Sequence, residues 1–148
     1  MSGKKTAIIT GASGAIGAAL VARFLQERYN VIATSRHINH KLTASGSLVR
    51  IDGDIGKQQT AADAVEAAIK NFESIDVLVN NAGIFLNKPF TDFTIEDFNA
   101  LVSTNLLGFF YMTQRTVKEM LKQKSGCIVS ITQRLPIGRS PAKMVRFR

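Results

Sequence analysis

The sequence contains a single cysteine, Cys127, and no tryptophan. One cysteine excludes a disulfide framework and a metal site built on several cysteines within this sequence. Cys127 lies in the apolar run from Gly126 to Ile131, which predicts a buried, unreactive core thiol. The two histidines, His37 and His40, lie in a polar stretch with no cysteine nearby, so we expect no metal site.

Long apolar runs are also missing. No segment approaches the ~18 uninterrupted apolar residues that a membrane-spanning helix needs, so we expect no membrane partner. Met1 is followed by small, polar and basic residues instead of an apolar signal region, which favours a cytoplasmic location. With 148 residues, 45% of them hydrophobic, the composition is typical of one globular domain.

Acidic residues are absent from the C-terminal segment. The formal net charge is +8, and residues 133–148 carry five basic side chains and no acidic one, which leaves +3 on residues 1–132. Because the excess charge is confined to this segment, we expect no general nucleic-acid-binding surface. A basic arm that binds phosphate or nucleic acid is the alternative for residues 133–148, but no groove-reading motif supports it.

Residues 1–132 alternate between short apolar runs and segments with helical periodicity. Strands are expected near residues 6–10, 31–34, 48–51, 75–79 and 127–132, and helices near 16–28, 61–72 and 94–121, the last opened by a capping box of Thr94 and Asp97. Strands that alternate with helices of this length predict an α/β fold, a doubly wound parallel sheet with helices on both faces. From Gln133 onward the periodicity stops, and residues 133–148 are expected to be irregular.

Three glycines, Gly11, Gly14 and Gly17, separate the first strand from the first helix. The amide groups at a helix N-terminus lack partners and carry partial positive charge, so a glycine-rich turn at that position predicts a pyrophosphate-binding site. Ser13 and Ile16 lie within the same turn. A purely structural turn is the alternative interpretation.

Two motifs resemble those of the short-chain dehydrogenase/reductase family: the turn from Thr10 to Gly17, and Asn80-Asn81-Ala82-Gly83 after the fourth strand. The resemblance covers about residues 4–132. It implies a Rossmann-type sheet, here of about five strands with an incomplete C-terminal half, an NAD(P)-binding domain over residues 1–132, a small carbonyl or alcohol substrate and a possible homo-oligomer. Ala15 departs from the single-domain branch of the family, which usually has glycine there.

The end of the second strand is the place where such folds distinguish the two nicotinamide cofactors. Ser35 and Arg36 lie there, and the planar guanidinium of Arg36 matches a 2′-phosphate, so NADP(H) is favoured over NAD(H). A solvated loop charge is the alternative for Arg36.

The resemblance implies further cofactor contacts after the third and fourth strands. It places Asp54 and Ile55 near the adenine, and Asn81, Ala82 and Gly83 along the cofactor. Turn formation alone is the other interpretation of these segments, including Asp52 and Asp54 around Gly53.

Asn105 resembles the asparagine of the family's catalytic set, whose backbone holds a water in a proton relay. A tolerated helix asparagine beside a kink at Gly108 is the alternative. The family's tyrosine and lysine have no match, because neither Tyr29 nor Tyr111 has a lysine four residues later. We therefore expect a truncated form with little or no hydride-transfer activity; a non-catalytic dinucleotide-binding or dimer-interfering protein is the alternative.

Counting from Asn105, the family's serine is expected at about Gln133 and its tyrosine at about Arg146. The change of composition after Thr132 leads to the hypothesis that residues 133–148 come from a shifted or alternatively spliced reading frame. The downstream nucleotide sequence tests this, since a Tyr-x-x-x-Lys segment is then expected in another frame. An end at Arg148 would leave the fifth strand at the edge of the sheet.

Overall fold

The computed structural model describes residues 3–37 and 46–132. The elements follow one another in the order β1 (Thr6–Thr10), α1 (Ala15–Gln26), β2 (Asn30–Ser35), β3 (Leu48–Asp52), α2 (Gln58–Phe72), β4 (Val77–Asn80), a 3-10 turn (Phe90–Asp92), α3 (Ile95–Leu101), a π-helical turn (Val102–Leu107), α4 (Gly108–Gln123) and β5 (Cys127–Ser130). The predicted alternation of strands and helices is confirmed.

The five strands form one parallel sheet in the order β3-β2-β1-β4-β5. Successive residues of β1 point to opposite faces, so Ile8 belongs to the core under α2 and α4, while Ile9 belongs to the core under α1. All five residues of β1 are buried. Helices therefore cover both faces of the described sheet, as in the predicted doubly wound fold.

The strand order reverses at β1: β2 and β3 lie on one side of it, and β4 and β5, which follow later in the chain, lie on the other. In open α/β sheets, ligands bind in the crevice that opens at this reversal, outside the carboxyl ends of the strands. The glycine turn follows β1 and the Asn80–Gly83 segment follows β4. The fold therefore brings the two motifs to the same crevice.

The helical region predicted over residues 94–121 is interrupted in the structure. Thr94 caps α3 as expected: its hydroxyl accepts from the Asp97 N–H at 3.2 Å, and the Asp97 carboxylate accepts from the Thr94 N–H at 2.9 Å. A π-helical turn then separates α3 from α4. Asn105 lies in that turn, and Gly108 is the first residue of α4.

The prediction of a buried Cys127 is wrong. All four residues of β5 are exposed, and the Cys127 thiol is exposed with them. β5 pairs only with β4, and no helix of the described residues packs closely against it, whereas α2 packs against the other edge strand, β3. An apolar pattern predicts a strand, but burial also requires a layer that covers its faces. Within the described ranges, no helix combines the length and apolar character that crossing a bilayer requires.

Candidate functional site

Two glycines of the turn after β1 occupy positions that a larger residue cannot. Gly11 has φ +69°, and a Cβ added to it would lie 2.9 Å from the Ala82 Cα. A Cβ on Gly17 would overlap the Gly11 carbonyl oxygen and lie 2.9 Å from the Ala12 Cα. Gly11 therefore allows β1 and β4 to end close together, and Gly17 allows α1 to begin directly against the turn.

Gly14 has a different environment. It lies at the N-cap of α1 with φ −75°, and a Cβ there would come no closer than 3.5 Å to the Gly11 oxygen. Its N–H donates to the Gly11 carbonyl at 3.1 Å, and its own carbonyl accepts from the Ala18 N–H at 2.8 Å. Gly14 thus closes the turn and starts the helix.

The N-terminus of α1 presents free backbone donors. Because the first intrahelical bond runs from Ala18, the N–H groups of Ala15, Ile16 and Gly17 have no partner within the helix. The first turn carries no acidic residue and the cap has no side-chain hydrogen bond. These donors and the helix dipole suit an anionic group, and the glycine cradle leaves room for it, so the residues fit a dinucleotide pyrophosphate.

A cleft of about 460 Å³ opens in front of this turn; we call it the glycine-turn cleft. Its volume lies in the range of small-molecule sites. The structure brings every sequence-predicted cofactor residue to this cleft: Gly11, Ser13, Gly14, Ile16, Gly17, Ser35, Arg36, Asp54, Ile55, Asn81, Ala82 and Gly83. The cleft is also lined by five residues that the sequence did not indicate as cofactor contacts: Ala15, Thr34, Gly53, Ile84 and Thr104.

Thr10 joins the two motifs. Its hydroxyl oxygen accepts from the backbone N–H groups of Asn81 at 3.0 Å and Ala82 at 2.9 Å, while the Asn81 side-chain amide donates to the Thr10 carbonyl at 2.9 Å. Thr10 is 1% exposed. Asn81 therefore holds the ends of β1 and β4 together while it lines the cleft.

The rim of the cleft at β2 combines two hydroxyls and a cation. The hydroxyl oxygens of Ser13 and Ser35 are 2.5 Å apart, which places the glycine turn against the end of β2. Arg36 is exposed and lines the cleft. No acidic side chain among the described residues forms an ion pair with it. A positive charge that no described acidic side chain pairs with is therefore available at this rim.

Asp54 shapes the turn between β3 and α2 and also lines the cleft. One carboxylate oxygen accepts from the Gly56 N–H at 2.9 Å, and its carbonyl accepts from the Thr60 hydroxyl at 2.7 Å. Ile55 is 8% exposed and packs against Gly108, where a Cβ would lie 2.7 Å from the Ile55 Cγ2. Asp54 thus holds the turn while it lines the cleft, and Ile55 forms a buried apolar part of the wall.

Asn105 holds the backbone at Ile84. Its side-chain oxygen accepts from the Ile84 N–H at 2.9 Å, and its side-chain nitrogen donates to the Ile84 carbonyl at 3.0 Å. This pair of hydrogen bonds resembles the pairing that a neighbouring strand would give. The role implied by the resemblance used the Asn105 backbone, whereas the structure gives its side chain a definite positioning role.

A second cavity of about 940 Å³ lies beside the first, and we call it the β5 cavity. It is lined by Ile16, Asn80, Asn81, Ala82, Gly83, Ile84, Phe85, Asn105, Phe109, Ser130, Ile131 and Thr132. Thr132, the neighbour of the expected serine position, therefore faces the same space as Asn105. Gln133 and Arg146, at the expected positions of the family's serine and tyrosine, lie outside the described residues.

Neither tyrosine reaches the site. Tyr111 is half-buried on α4, with its ring 5.9 Å from that of Phe110, and Tyr29 contacts Phe24 at the end of α1. They line neither cavity. Across the described part of the chain, no three histidine, cysteine or acidic side chains come together as metal ligands.

The family model for short chain dehydrogenase matches residues 5–137. The chain belongs to the short-chain dehydrogenase family. It is 36% identical over 141 residues to the acetoacetyl-CoA reductase of an Acinetobacter species, covering 89% of this chain and 57% of that enzyme. The family match ends at residue 137, five residues beyond Thr132.

Solved structures of this family share the fold. ElxO with NADP bound is similar with a TM-score of 0.80 and 32% identity, over 88% of this chain and 56% of that one. A short chain dehydrogenase from Leptospira borgpetersenii with bound NAD+ is similar with a TM-score of 0.76 and 30% identity, over 86% of this chain and 51% of that one. This chain thus spans about half the length of the relatives that it matches.

Proposed function

We propose that residues 1–132 bind a nicotinamide dinucleotide in the glycine-turn cleft, NADP(H) in preference to NAD(H), as part of an oxidoreductase that interconverts a carbonyl and an alcohol. The observation that carries the proposal is the cradle formed by Gly11, Gly17 and the free amides of α1. The neighbours with bound NADP and NAD+ support a dinucleotide but leave the choice between the two open.

The preference for NADP(H) rests on Arg36. Its guanidinium has no acidic partner among the described residues, and Arg36 lines the cleft together with Ser35. A guanidinium pairs with phosphate through two parallel hydrogen bonds. An acidic residue, which would accept from the free ribose 2′-hydroxyl of NAD(H), is missing at this position.

The other residues of the cleft take the remaining parts of the cofactor. The amides of Ala15 to Gly17 bind the pyrophosphate. Asp54 and Ile55 border the adenine, and Asn81 to Gly83 border the ribose and nicotinamide. When bound, the cofactor supplies or accepts the hydride. Asn105 positions the end of this last segment through Ile84.

Hydride transfer to a carbonyl also requires a proton for the alkoxide that forms, which is general acid catalysis. Residues 1–148 contain no Tyr-x-x-x-Lys sequence, and a hydroxyl such as that of Thr132 has no neighbouring cation to tune it among the residues of the β5 cavity. We therefore propose that these 148 residues by themselves bind the dinucleotide and turn over a carbonyl substrate slowly or not at all.

Fluorescence titration with NADPH and NADH tests the binding proposal. We expect saturable NADPH binding that Arg36→Ala weakens by about 10- to 100-fold, as for the loss of one charged hydrogen-bonded contact, with little effect on NADH. Lys118→Ala is the control, since Lys118 is exposed on α4 and lines neither cavity. Absence of saturable NADPH binding would remove the cofactor proposal, and equal losses in both variants would remove the role of Arg36.

We also propose that the family's homo-oligomeric assembly uses α4. Phe110, Val117 and Leu121 are 7 and 4 residues apart and lie on one side of that helix, with Phe110 48% and Leu121 71% exposed. Exposed apolar side chains in one stripe are typical of an interface. Sedimentation velocity should show self-association that Leu121→Glu reduces; a monomer at every concentration would contradict it.

A further inference from the structure

The β5 cavity adjoins the glycine-turn cleft. The two share five lining residues: Ile16, Asn81, Ala82, Gly83 and Ile84. A molecule in the β5 cavity would therefore lie against the end of a dinucleotide that borders Asn81 to Gly83. The side chains of the β5 cavity decide what kind of molecule that is.

Much of the wall of this cavity is apolar. Ile16 comes from α1, Phe85 from the loop after β4, Phe109 from α4 and Ile131 from the segment after β5, and they are 59%, 56%, 41% and 39% exposed. Four large apolar side chains from four segments thus face one concave space. Covering them with an apolar body removes unfavourable contact with water, whereas a hydrophilic ligand would not.

The side-chain amide nitrogens of the cavity are already engaged within the protein. The Asn80 nitrogen donates to the Thr113 hydroxyl at 3.0 Å, the Asn81 nitrogen donates to the Thr10 carbonyl at 2.9 Å, and both ends of the Asn105 amide are paired with Ile84. They are therefore poorly placed to bind the several hydroxyls of a sugar. The hydroxyls of Ser130 and Thr132 remain, which is enough to donate to one carbonyl oxygen.

Charge is missing from the cavity as well. None of its lining residues within the described ranges is a lysine, arginine, aspartate or glutamate. A carboxylate or phosphate on the ligand would find no counter-charge among these described lining residues and would lose its hydration.

We infer that the β5 cavity takes a neutral carbonyl compound with an aromatic or alkyl body, in preference to a sugar or a charged oxoacid, and that Phe85 provides part of its binding surface. The inference rests on the proposed function, because the cofactor is what makes a carbonyl the reacting group.

Ligand-observed NMR on the full chain with saturating NADPH tests this. Acetophenone is the neutral aromatic probe, and pyruvate and glucose are the charged and polyhydroxy probes. We expect acetophenone alone to bind, and Phe85→Ala to weaken it about tenfold, as for removal of a large apolar contact. Phe90→Ala is the control, because Phe90 is 92% exposed and lines neither cavity. Phe85→Leu, which keeps an apolar side chain, should retain most of the affinity.

The outcomes separate this inference from the proposed function. NADPH affinity is measured in parallel for each variant. If NADPH does not bind, the cofactor proposal is overturned. The titration with acetophenone in the absence of NADPH then still tests the cavity. Acetophenone that fails to bind in either condition, or pyruvate or glucose that binds equally well, overturns the inference. So does a Phe85→Ala protein with a native circular dichroism spectrum and unchanged affinity, or an equal loss in Phe90→Ala.

Discussion

The side-chain amide of Asn105 forms two hydrogen bonds with the backbone of Ile84, of 2.9 and 3.0 Å, in the place where a neighbouring strand would pair with it. Gln123 does the same for Ile75, accepting from its N–H at 2.9 Å and donating to its carbonyl at 3.0 Å. Ile75 precedes β4 and Ile84 follows it. Two amides on one helical region therefore hold the backbone on both sides of this strand.

Asn105→Ala should loosen the segment after β4. Each lost hydrogen bond is worth about 1 kcal/mol, so we expect faster hydrogen exchange at the Ile84 amide and weaker NADPH binding, because Ile84 lines the glycine-turn cleft. Gln123→Ala is the matched control: it should lower the free energy of unfolding by a similar amount and leave NADPH affinity unchanged. Equal effects of both variants on NADPH would contradict a positioning role for Asn105.

Gly17→Ala should disrupt the turn, because the new Cβ would overlap the Gly11 carbonyl oxygen. Overpacking of this kind costs about 1–3 kcal/mol, and we expect a lower denaturation midpoint together with loss of NADPH binding. Gly14→Ala is the comparison, since its Cβ would come no closer than 3.5 Å to the same oxygen and its φ is −75°. It should fold with nearly unchanged stability. A Gly17→Ala protein as stable as Gly14→Ala would show that the turn can move.

Thr116→Val should stabilise the protein. The Thr116 hydroxyl is buried and has no hydrogen-bond partner among the described residues, so replacing it with a methyl group of similar shape removes a desolvation cost of about 1 kcal/mol or more. Thr113→Val on the same helix should do the opposite, since the Thr113 hydroxyl accepts from the Asn80 side chain. Urea denaturation of both variants measures the two signs. Destabilisation by Thr116→Val would indicate a partner for this hydroxyl.

The start of α3 should weaken in acid. The side-chain hydrogen bond from Lys88, and then that from the Thr94 backbone, hold the pKa of Asp97 below its ordinary value of 3.8. Because folding lowers this pKa, the ionised carboxylate stabilises the folded state at a pH above the ordinary pKa. This contribution is lost as the pH falls from the ordinary pKa through the lower pKa of the folded state. The protection factors of the α3 amides, which correct hydrogen exchange for its intrinsic pH dependence, should fall over that pH interval. Asp97→Asn should remove this pH dependence, and an unchanged profile would exclude the carboxylate as its source.

Much of the cleft could be predicted because its residues lie at the ends of strands that the sequence marks clearly. Apolar runs followed by Gly11, Ser35, Asp54 or Asn81 indicate where each strand of the parallel sheet stops, and those ends converge by topology alone. Ala15, Thr34, Gly53 and Ile84 are chain neighbours of the predicted residues, so the same reasoning extended by one position would have included them. Thr104 gave no such signal, because it reaches the cleft only through the packing of the π-helical turn.

The sequence by itself determined the order of strands and helices, the glycine turn with its free amides and the absence of a Tyr-x-x-x-Lys motif, since these depend on residue type and spacing along the chain. Only the tertiary structure decided that Asn105 holds Ile84, that four apolar side chains face one cavity, and that Cys127 is exposed. Those facts depend on which surfaces meet across distant segments. Local periodicity determines how a segment folds, but contact and burial depend on what lies beside it in space.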